Sequence, residues 1–366
     1  MPANSTKESR YRLAPREIRV GRGIAAGLPA VVKRLGHRCL IVHDAGSRSA
    51  ALAASDAITA TGFDVRLHPF FGECTESAID RLADEAAGAT LLAFGGGKAL
   101  DTAKATAAKV RAPCVTLPTS AATCAAYTPL SILHEDDGTY VESRRLDQPV
   151  EALLLDLDLL AAAPPRLLAA GMADAAARAF DTILAARIRI PSATAATSLA
   201  ICREYLDNTL LPLGAQALVD NECRRASDAF QRAVEACILG AGLAGETGAR
   251  FFGRSFSHAV AYALSHAIDP DAVLHGEAAG LGILVHCALD PEPPVPFQAM
   301  LKHFADWGLP VTFTQVGTAH VAEEIGRSLA DRTLAYLDLE RAIPFSVSSD
   351  EIHEAMMHVE RGDPLS

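Results

Sequence analysis

Between Thr90 and Val110 the chain passes from an apolar run, Thr90 to Phe94, through three consecutive glycines, Gly95 to Gly97, into a helix-like segment that starts at Lys98. A strand that ends in adjacent glycines and turns at once into a helix restricts the possible folds severely. Glycines let the backbone come close to a ligand, and the start of the helix offers free N–H groups and the positive end of a dipole. The junction reads as a phosphate or pyrophosphate cradle, although its spacing is neither G-x-G-x-x-G nor G-x-x-x-x-G-K-[ST]. A tight turn at a sheet edge is the alternative for the same residues. The flanking sequence repeats the pattern. Cys39 to His43 is an apolar run followed by the Ala-rich stretch Arg48 to Thr61. Val65 to His68 precedes Glu76 to Ala87, in which Ile79, Leu82 and Ala86 fall near one face, and Cys114 to Leu117 makes a fourth strand. Strand–helix alternation at this spacing predicts parallel βαβ units and a doubly wound α/β sheet.

One segment breaks the rhythm. Thr128 to His134 and Thr139 to Ser143 flank Asp136-Asp137-Gly138, and an Asp-Gly turn between two strand-like runs predicts a β-hairpin inserted in the α/β unit. A last apolar run, Ala152 to Asp156, leads to Pro164-Pro165, where neither a helix nor a strand can continue, so the domain boundary is placed there: 1–164 and 165–366. Beyond it strand signals nearly vanish. Leu167 to Ala186, Ser192 to Thr209 and Gln231 to Ala249 carry apolar residues at helical spacing, and the second unit is expected to be an all-α helical bundle. The low aromatic content, 5%, with abundant alanine favours tightly packed helices in the same way.

The net charge of −11 opposes nonspecific binding to nucleic acid or anionic membrane. Eight cysteines without a CxxC pair read as reduced and mostly buried thiols, and the polar start MPANSTKESR carries no apolar h-region; both point to a cytoplasmic protein. No apolar run is long enough to span a bilayer.

Several residues have types and positions suited to chemistry. Asp44 directly follows the Cys39–His43 strand, where a carboxylate can accept from adenosine ribose hydroxyls; an Asx turn or helix cap serves the same residue equally well. Ser47 and Arg48 are close enough in sequence to hold a 2′-phosphate instead, so NAD is favoured with NADP possible. Asp174, His258 and His275 offer one carboxylate and two imidazoles, a set suited to a catalytic Zn²⁺ or Fe²⁺ with positions left for water and substrate. Their separations of 84 and 17 positions match no compact metal signature, and among 12 histidines such a trio also arises by chance. His266, His286 and His303 have no comparable context. Cys124 lies among small residues and reads as a buried or pocket-lining thiol.

Taken together, Phe71-Gly72-Glu73-Cys74, Gly95-Gly96-Gly97-Lys98 with Leu100-Asp101-Thr102-Ala103-Lys104, Leu117-Pro118-Thr119, Leu130-Ser131, Ala170-Gly171-Met172-Ala173-Asp174 and His275-Gly276-Glu277 resemble the glycerol-dehydrogenase-like branch of the iron-containing (group III) alcohol dehydrogenases. The resemblance runs from about Arg16 to the C-terminus with all six pieces in family order. It implies a Rossmann-like sheet domain and a helical domain in a dehydroquinate-synthase-like architecture. It also implies a metal held by Asp174, His258 and His275 and cofactor contacts from Asp44, Gly95, Gly96, Gly97, Lys98, Asp101, Thr119, Thr123, Thr128, Leu130 and Ser131. Substrate contacts fall to Cys124 and Tyr127. The implied chemistry is Lewis-acid activation of a substrate oxygen with hydride transfer to or from a nicotinamide. The expected partners are a small-molecule substrate and further copies of the chain in a dimer or higher homo-oligomer.

Within that branch the segment Pro118 to Ser131 looks most like that of the hydroxycarboxylate dehydrogenases, which reduce 2-oxoacids. Glycerol dehydrogenases carry an Asp that helps hold the polyol where this chain has Cys124, so a small 2-oxoacid is expected as substrate, with glycerol or a 1,2-diol as the alternative. Lys98 and Asp44 are shared with NAD-using glycerol dehydrogenases. Arg178 stands where a fourth metal ligand, a histidine, occurs in other members, so three protein ligands and Zn²⁺ rather than Fe²⁺ are expected. A rival of another reaction class, a dehydroquinate-synthase-like cyclase or lyase, needs a Lys/Arg/Asn cluster for a substrate phosphate; around His258 to His275 the sequence offers only Arg254.

Overall fold

The computed structural model of the protein describes residues 15–188, 190, 192–252, 256–268, 272–317, 323–340 and 343–362, with the backbone alone for 249–252, 323–325 and 338–340; Arg254 lies outside the described residues. Six strands form one parallel sheet: β1 (Ile18–Gly21), β2 (Arg38–His43), β3 (Asp64–Pro69), β4 (Thr90–Gly95), β5 (Cys114–Pro118) and β8 (Ala152–Asp156). β6 (Leu130–His134) and β7 (Tyr140–Arg145) pair antiparallel as a separate hairpin. The expected hairpin is therefore present, with Gly138 at φ +85° in its turn, a region that a residue without Cβ enters freely.

The sheet order is β1-β8-β5-β4-β2-β3. From β2 the chain crosses to one side to make β3, then returns past β2 to make β4 and continues to β5 on the other side. The C-terminal ends of β2 and β4 are therefore neighbours at a topological switch point, His43 pairing in register with Phe94. Open α/β sheets bind ligands in the crevice at such a point. β4, β5 and β8 are buried at every position because helices cover both faces, which is why they read as unbroken apolar runs rather than alternating ones. Cys39, Ile41, Leu92, Phe94, Val115 and Leu117 face one side, against Ala51, Ala54 and Ile58 of the Arg48–Thr59 helix. Leu40, Val42, Leu91 and Ala93 face the other, in a core continuous with Leu100 and Ala103 of the Gly97–Val110 helix and with the helices of the second half.

β1 and the short Leu28–Val32 helix occupy a stretch to which the sequence pattern assigns no element. β1 has four residues at the sheet edge, none fully buried, so its sequence lacks the apolar run that marks the central strands. Among the described residues every strand precedes Pro164 and all later regular structure is helical. Pro165 occupies the first turn of the Pro165–Ala186 helix, where its missing N–H leaves no bond unmade. That helix is buried nearly all round, its alanines letting neighbouring helices approach closely. The expected long helices after it are present with one difference. Two are widened by single π-helical turns, Leu206–Leu210 just ahead of Pro212 and Ala236–Gly240, which apolar periodicity does not reveal. No described helix is long and apolar enough to cross a membrane. All eight cysteines are free thiols, Cys124 half-buried and Cys223 exposed.

Candidate active site

The switch point assembles the first group of residues. Asp44 lies beside the Gly95–Gly97 turn, its Oδ2 accepting from the Gly96 N–H at 2.8 Å and its Oδ1 from the Ser47 N–H at 2.8 Å. Asp44 therefore accepts one local bond, from the backbone three residues on, and each carboxylate oxygen keeps a lone pair for a further donor. Gly95, at φ +138°, could not be any other residue, since a Cβ there would collide with the Asp44 carboxylate. Lys98, on the first turn of the Gly97–Val110 helix, is half exposed and pairs with Glu73.

Buried Lys104 organises the rest of this wall. Its Nζ donates to the carbonyl oxygens of Ala125 (2.6 Å), Thr128 (2.9 Å) and Leu130, and lies 2.8 Å from Asp101 Oδ1. Asp101 in turn accepts from the Ile132 N–H at 3.0 Å, and Ser131 Oγ donates to the Asp101 carbonyl at 2.8 Å. Asp101, Thr128 and Ser131 are buried, and these bonds tie the hairpin and the preceding loop to the helix. Thr119 N–H donates to the Gly95 carbonyl at 3.2 Å, and Thr123 Oγ1 would lie 3.5 Å from a Cβ on Gly97. The loop from Thr119 to Thr128 therefore begins at the glycine turn.

The same loop ends on the second group. A Cβ on Gly171 would overlap the Ala121 carbonyl, so the loop rests directly on the helix that carries Asp174. A Cβ on Gly276 would overlap the Ala170 carbonyl, and one on Gly282 would strike the backbone at Ser257. The first crossing brings the start of the His275–Leu289 helix against the Asp174 helix, and the second brings the start of the Phe256–Leu264 helix against the His275–Leu289 helix. Asp174, His258 and His275 consequently converge, with one ligand atom from each within 4.8 Å of the others. His275 Nε2 is 3.5 Å and His258 Nε2 3.8 Å from Asp174 Oδ1.

The supporting contacts fit a metal site. His258 Nδ1 lies 2.6 Å from Oδ2 of Asp181, a carboxylate with no exposure that also accepts from the Ser257 N–H at 3.2 Å. Because a carboxylate only accepts, Nδ1 carries the proton and Nε2 presents its lone pair toward Asp174 and His275. Glu277 fixes the start of the His275 helix, accepting from the Leu274 N–H at 2.9 Å and from the Arg166 fork at 2.6 and 2.8 Å. Burial pushes the Asp174 carboxyl up, but the neighbouring His258, His275 and Arg178 outweigh it and hold it below the usual range. His258 moves up: burial opposes its charged form, and the neighbouring Asp174 carboxylate and the bonded Asp181 carboxylate prevail. Asp181→Asn is expected to lower divalent-metal affinity by about 10–100-fold while Asp174, His258 and His275 all remain, because the His258 tautomer and ring angle lose their fixed partner. Competition against a chromogenic chelator measures it, and an unchanged affinity would remove Asp181 from the site.

Cys124 joins this group. Burial, then the charge of Asp174, pushes its thiol up to about 12, so it stays protonated at neutral pH and does not act as a thiolate nucleophile. Tyr127 packs its ring over Gly242, and burial pushes its hydroxyl up to about 12. Sequence reasoning overlooked Asp181, the role of Lys104 and Cys237, whose thiol is pushed up by burial and then by the charge of Asp174, from the second π-helical turn. Only Asp181 had a legible signal: it lies seven residues after Asp174, on the same helix face. Of the other histidines, His286 is buried between Phe180 and Phe256 and bonded to Asp290, while His266 is exposed.

Known proteins resemble the chain along most of its length. A family model described as iron-containing alcohol dehydrogenase matches residues 15–152. A glycerol dehydrogenase of Escherichia coli is 30% identical over 352 residues, covering 92% of this chain and 93% of that protein. Hydroxycarboxylate dehydrogenase A of Escherichia coli is 31% identical over 329 residues, covering 86% and 88%. A probable glycerol dehydrogenase from Sinorhizobium meliloti superposes with a TM-score of 0.82 at 26% identity, covering 96% of this chain and 99% of that one. With the α/β sheet, the helical second half and the Asp174–His258–His275 cluster in one chain, the protein belongs to the iron-containing alcohol dehydrogenase family and is an oxidoreductase of the alcohol dehydrogenase type.

Proposed function

We propose that the protein interconverts a small 2-oxoacid, or a related carbonyl, with its hydroxy form, using NAD(H) and a Zn²⁺ ion held by Asp174, His258 and His275. The observation that carries the substrate class is Cys124: the buried group that feels the Asp174 charge is a neutral thiol, not a second carboxylate that would repel an anionic substrate. The similarity to glycerol dehydrogenases favours a second reading, oxidation of glycerol or a 1,2-diol.

Zn²⁺ is favoured over Fe²⁺ because the trio supplies three protein ligands and Arg178 stands one turn beyond Asp174, where no fourth ligand can arise. NAD(H) is favoured over NADP(H) because the Asp44 carboxylate sits at the switch point and would repel a 2′-phosphate. Residues 1–164 would serve the nucleotide and 165–366 the metal and substrate. A cytoplasmic location and a homo-oligomeric state belong to the same proposal.

When bound, the divalent ion supplies Lewis acidity and the nicotinamide the means to carry hydride. The chain's own residues do the positioning. Asp181 holds His258 in one tautomer, and Glu277 with Arg166 holds the helix start that carries His275. Gly96 and Gly97 admit a pyrophosphate to the helix N-terminus, and Lys104 holds the Thr119–Thr128 loop that spans from this cradle to Asp174.

A panel of glycerol, 1,2-diols, simple aldehydes and 2-oxoacids, assayed with both cofactors and added Zn²⁺, tests the reading. Reduction of a 2-oxoacid with NADH is expected to exceed every polyol oxidation, and Cys124→Asp to lower 2-oxoacid kcat/KM by about tenfold or more through like-charge repulsion. Glycerol turnover well above every 2-oxoacid would replace it with the polyol reading.

A further inference from the structure

Arg178 belongs to the metal centre by position and yet has no partner there. It follows Asp174 by one helical turn, so both side chains leave the same face of the Pro165–Ala186 helix. The two other arginines near this helix's ends are committed to carboxylates, Arg166 to Glu277 and Arg187 to Asp290. Arg178 is half-buried, and among the described residues it makes no hydrogen bond and no ion pair. Asp181, three residues on, already accepts from His258 and the Ser257 N–H. Burial works against the guanidinium's charge, while Asp181, Cys124, Asp174 and Tyr205 lie close enough to favour it. The Tyr205 hydroxyl donates to the Ala175 carbonyl at 3.0 Å.

A half-buried cation whose five donors meet no acceptor at hydrogen-bond distance among the described residues leaves them open to an incoming acceptor. The planar fork fits a carboxylate in bidentate fashion better than it fits a hydroxyl or a lone carbonyl. Charge balance leads to the same ligand. Asp174 and Asp181 carry two negative charges, which a divalent ion in the trio offsets, leaving the Arg178 charge unbalanced. A monoanion neutralises the cleft. With a carboxylate in place of Cys124 the cleft would be balanced already, and a neutral polyol would suit it.

We propose that Arg178 determines substrate specificity by anchoring the carboxylate of an anionic substrate at the Asp174–His258–His275 centre. This rests on the 2-oxoacid reading above and deepens it. In a 2-oxoacid the carbonyl is bonded directly to the carboxylate, so anchoring one on Arg178 directs the other toward the ligand trio four residues away on the same helix face.

The test uses pyruvate and hydroxyacetone, which share a carbon skeleton but differ in charge, with the Zn²⁺-loaded enzyme and NADH, in wild type, Arg178→Gln and Arg178→Lys. Calorimetric binding of oxamate, an unreactive analogue of a 2-oxoacid, gives a readout independent of turnover. Arg178→Gln is expected to lower the ratio of pyruvate to hydroxyacetone kcat/KM on the order of 100-fold, chiefly through the KM for pyruvate, and to weaken oxamate binding to a similar degree. Arg178→Lys, which keeps the charge and loses the fork, should lower the ratio about tenfold, and it carries the test if the Gln variant does not fold. An equal loss on both substrates, leaving the ratio unmoved, would make Arg178 a structural residue and overturn the proposal. A wild type that prefers pyruvate, with a Gln variant that keeps that preference, overturns the anchor and leaves the 2-oxoacid reading standing. A wild type that prefers hydroxyacetone overturns both.

Discussion

His275→Ala is expected to emerge from gentle purification without the divalent ion that the wild-type chain retains, and to lose on the order of 10³-fold in kcat. The chain offers three ligand atoms within 4.8 Å of one another, and removing one leaves two, too few to hold an ion against buffer and chelator. His275 is the right member to remove. It is the most exposed of the three, and the helix it opens keeps its start through Glu277, Leu274 and Arg166, so the variant should fold. Elemental analysis of both proteins, with circular dichroism as the check on folding, gives the result directly. Equal metal content in the two would show that the ion, if bound, sits elsewhere.

Lys104→Met should unfold the protein more readily by on the order of 3–5 kcal/mol. The substitution nearly conserves volume and removes only the ammonium. It leaves the Asp101 carboxylate buried without its cation, and the carbonyls of Ala125, Thr128 and Leu130 without their shared donor. Urea denaturation of wild type and variant measures the difference. Because Lys104 holds the loop that runs from the glycine turn to Asp174, NADH affinity should fall as well, in conditions where the variant is still folded. A change in unfolding free energy below about 1 kcal/mol would mean that water replaces the ammonium without cost and that the loop is held by other contacts.

Much of the α/β half was legible in the sequence. β2, β4, β5 and β8 each carry a near-continuous apolar run because both sheet faces are covered, and each is followed by turn or helix residues of unmistakable type. The hairpin announced itself through its Asp-Gly turn. β1 did not, since a short edge strand buries too little to need an apolar pattern. The π-helical turns at Leu206–Leu210 and Ala236–Gly240 were equally invisible, because one extra residue in a turn leaves the composition of a helix unchanged.

For the site, local sequence settled the chemistry available and tertiary structure settled which groups meet. A strand ending in Gly95-Gly96-Gly97 and opening a helix is a local feature, determined by backbone freedom and by the free N–H groups of a helix start, so the sequence alone identified this junction. Asp174, His258 and His275 carried no local signature, and their family resemblance, not their spacing, singled them out. Their convergence depends on how closely helices cross, which Gly171, Gly276 and Gly282 permit by having no Cβ where neighbouring backbone passes. The pairing of Asp181 with His258 follows from those crossings; the carbonyl cage around Lys104 and the Arg178 guanidinium, without a partner among the described residues, are likewise decided by tertiary packing. Each joins, or fails to join, groups far apart in the chain, and hydrogen bonding and charge pairing act over a few ångströms of space whatever the separation in sequence.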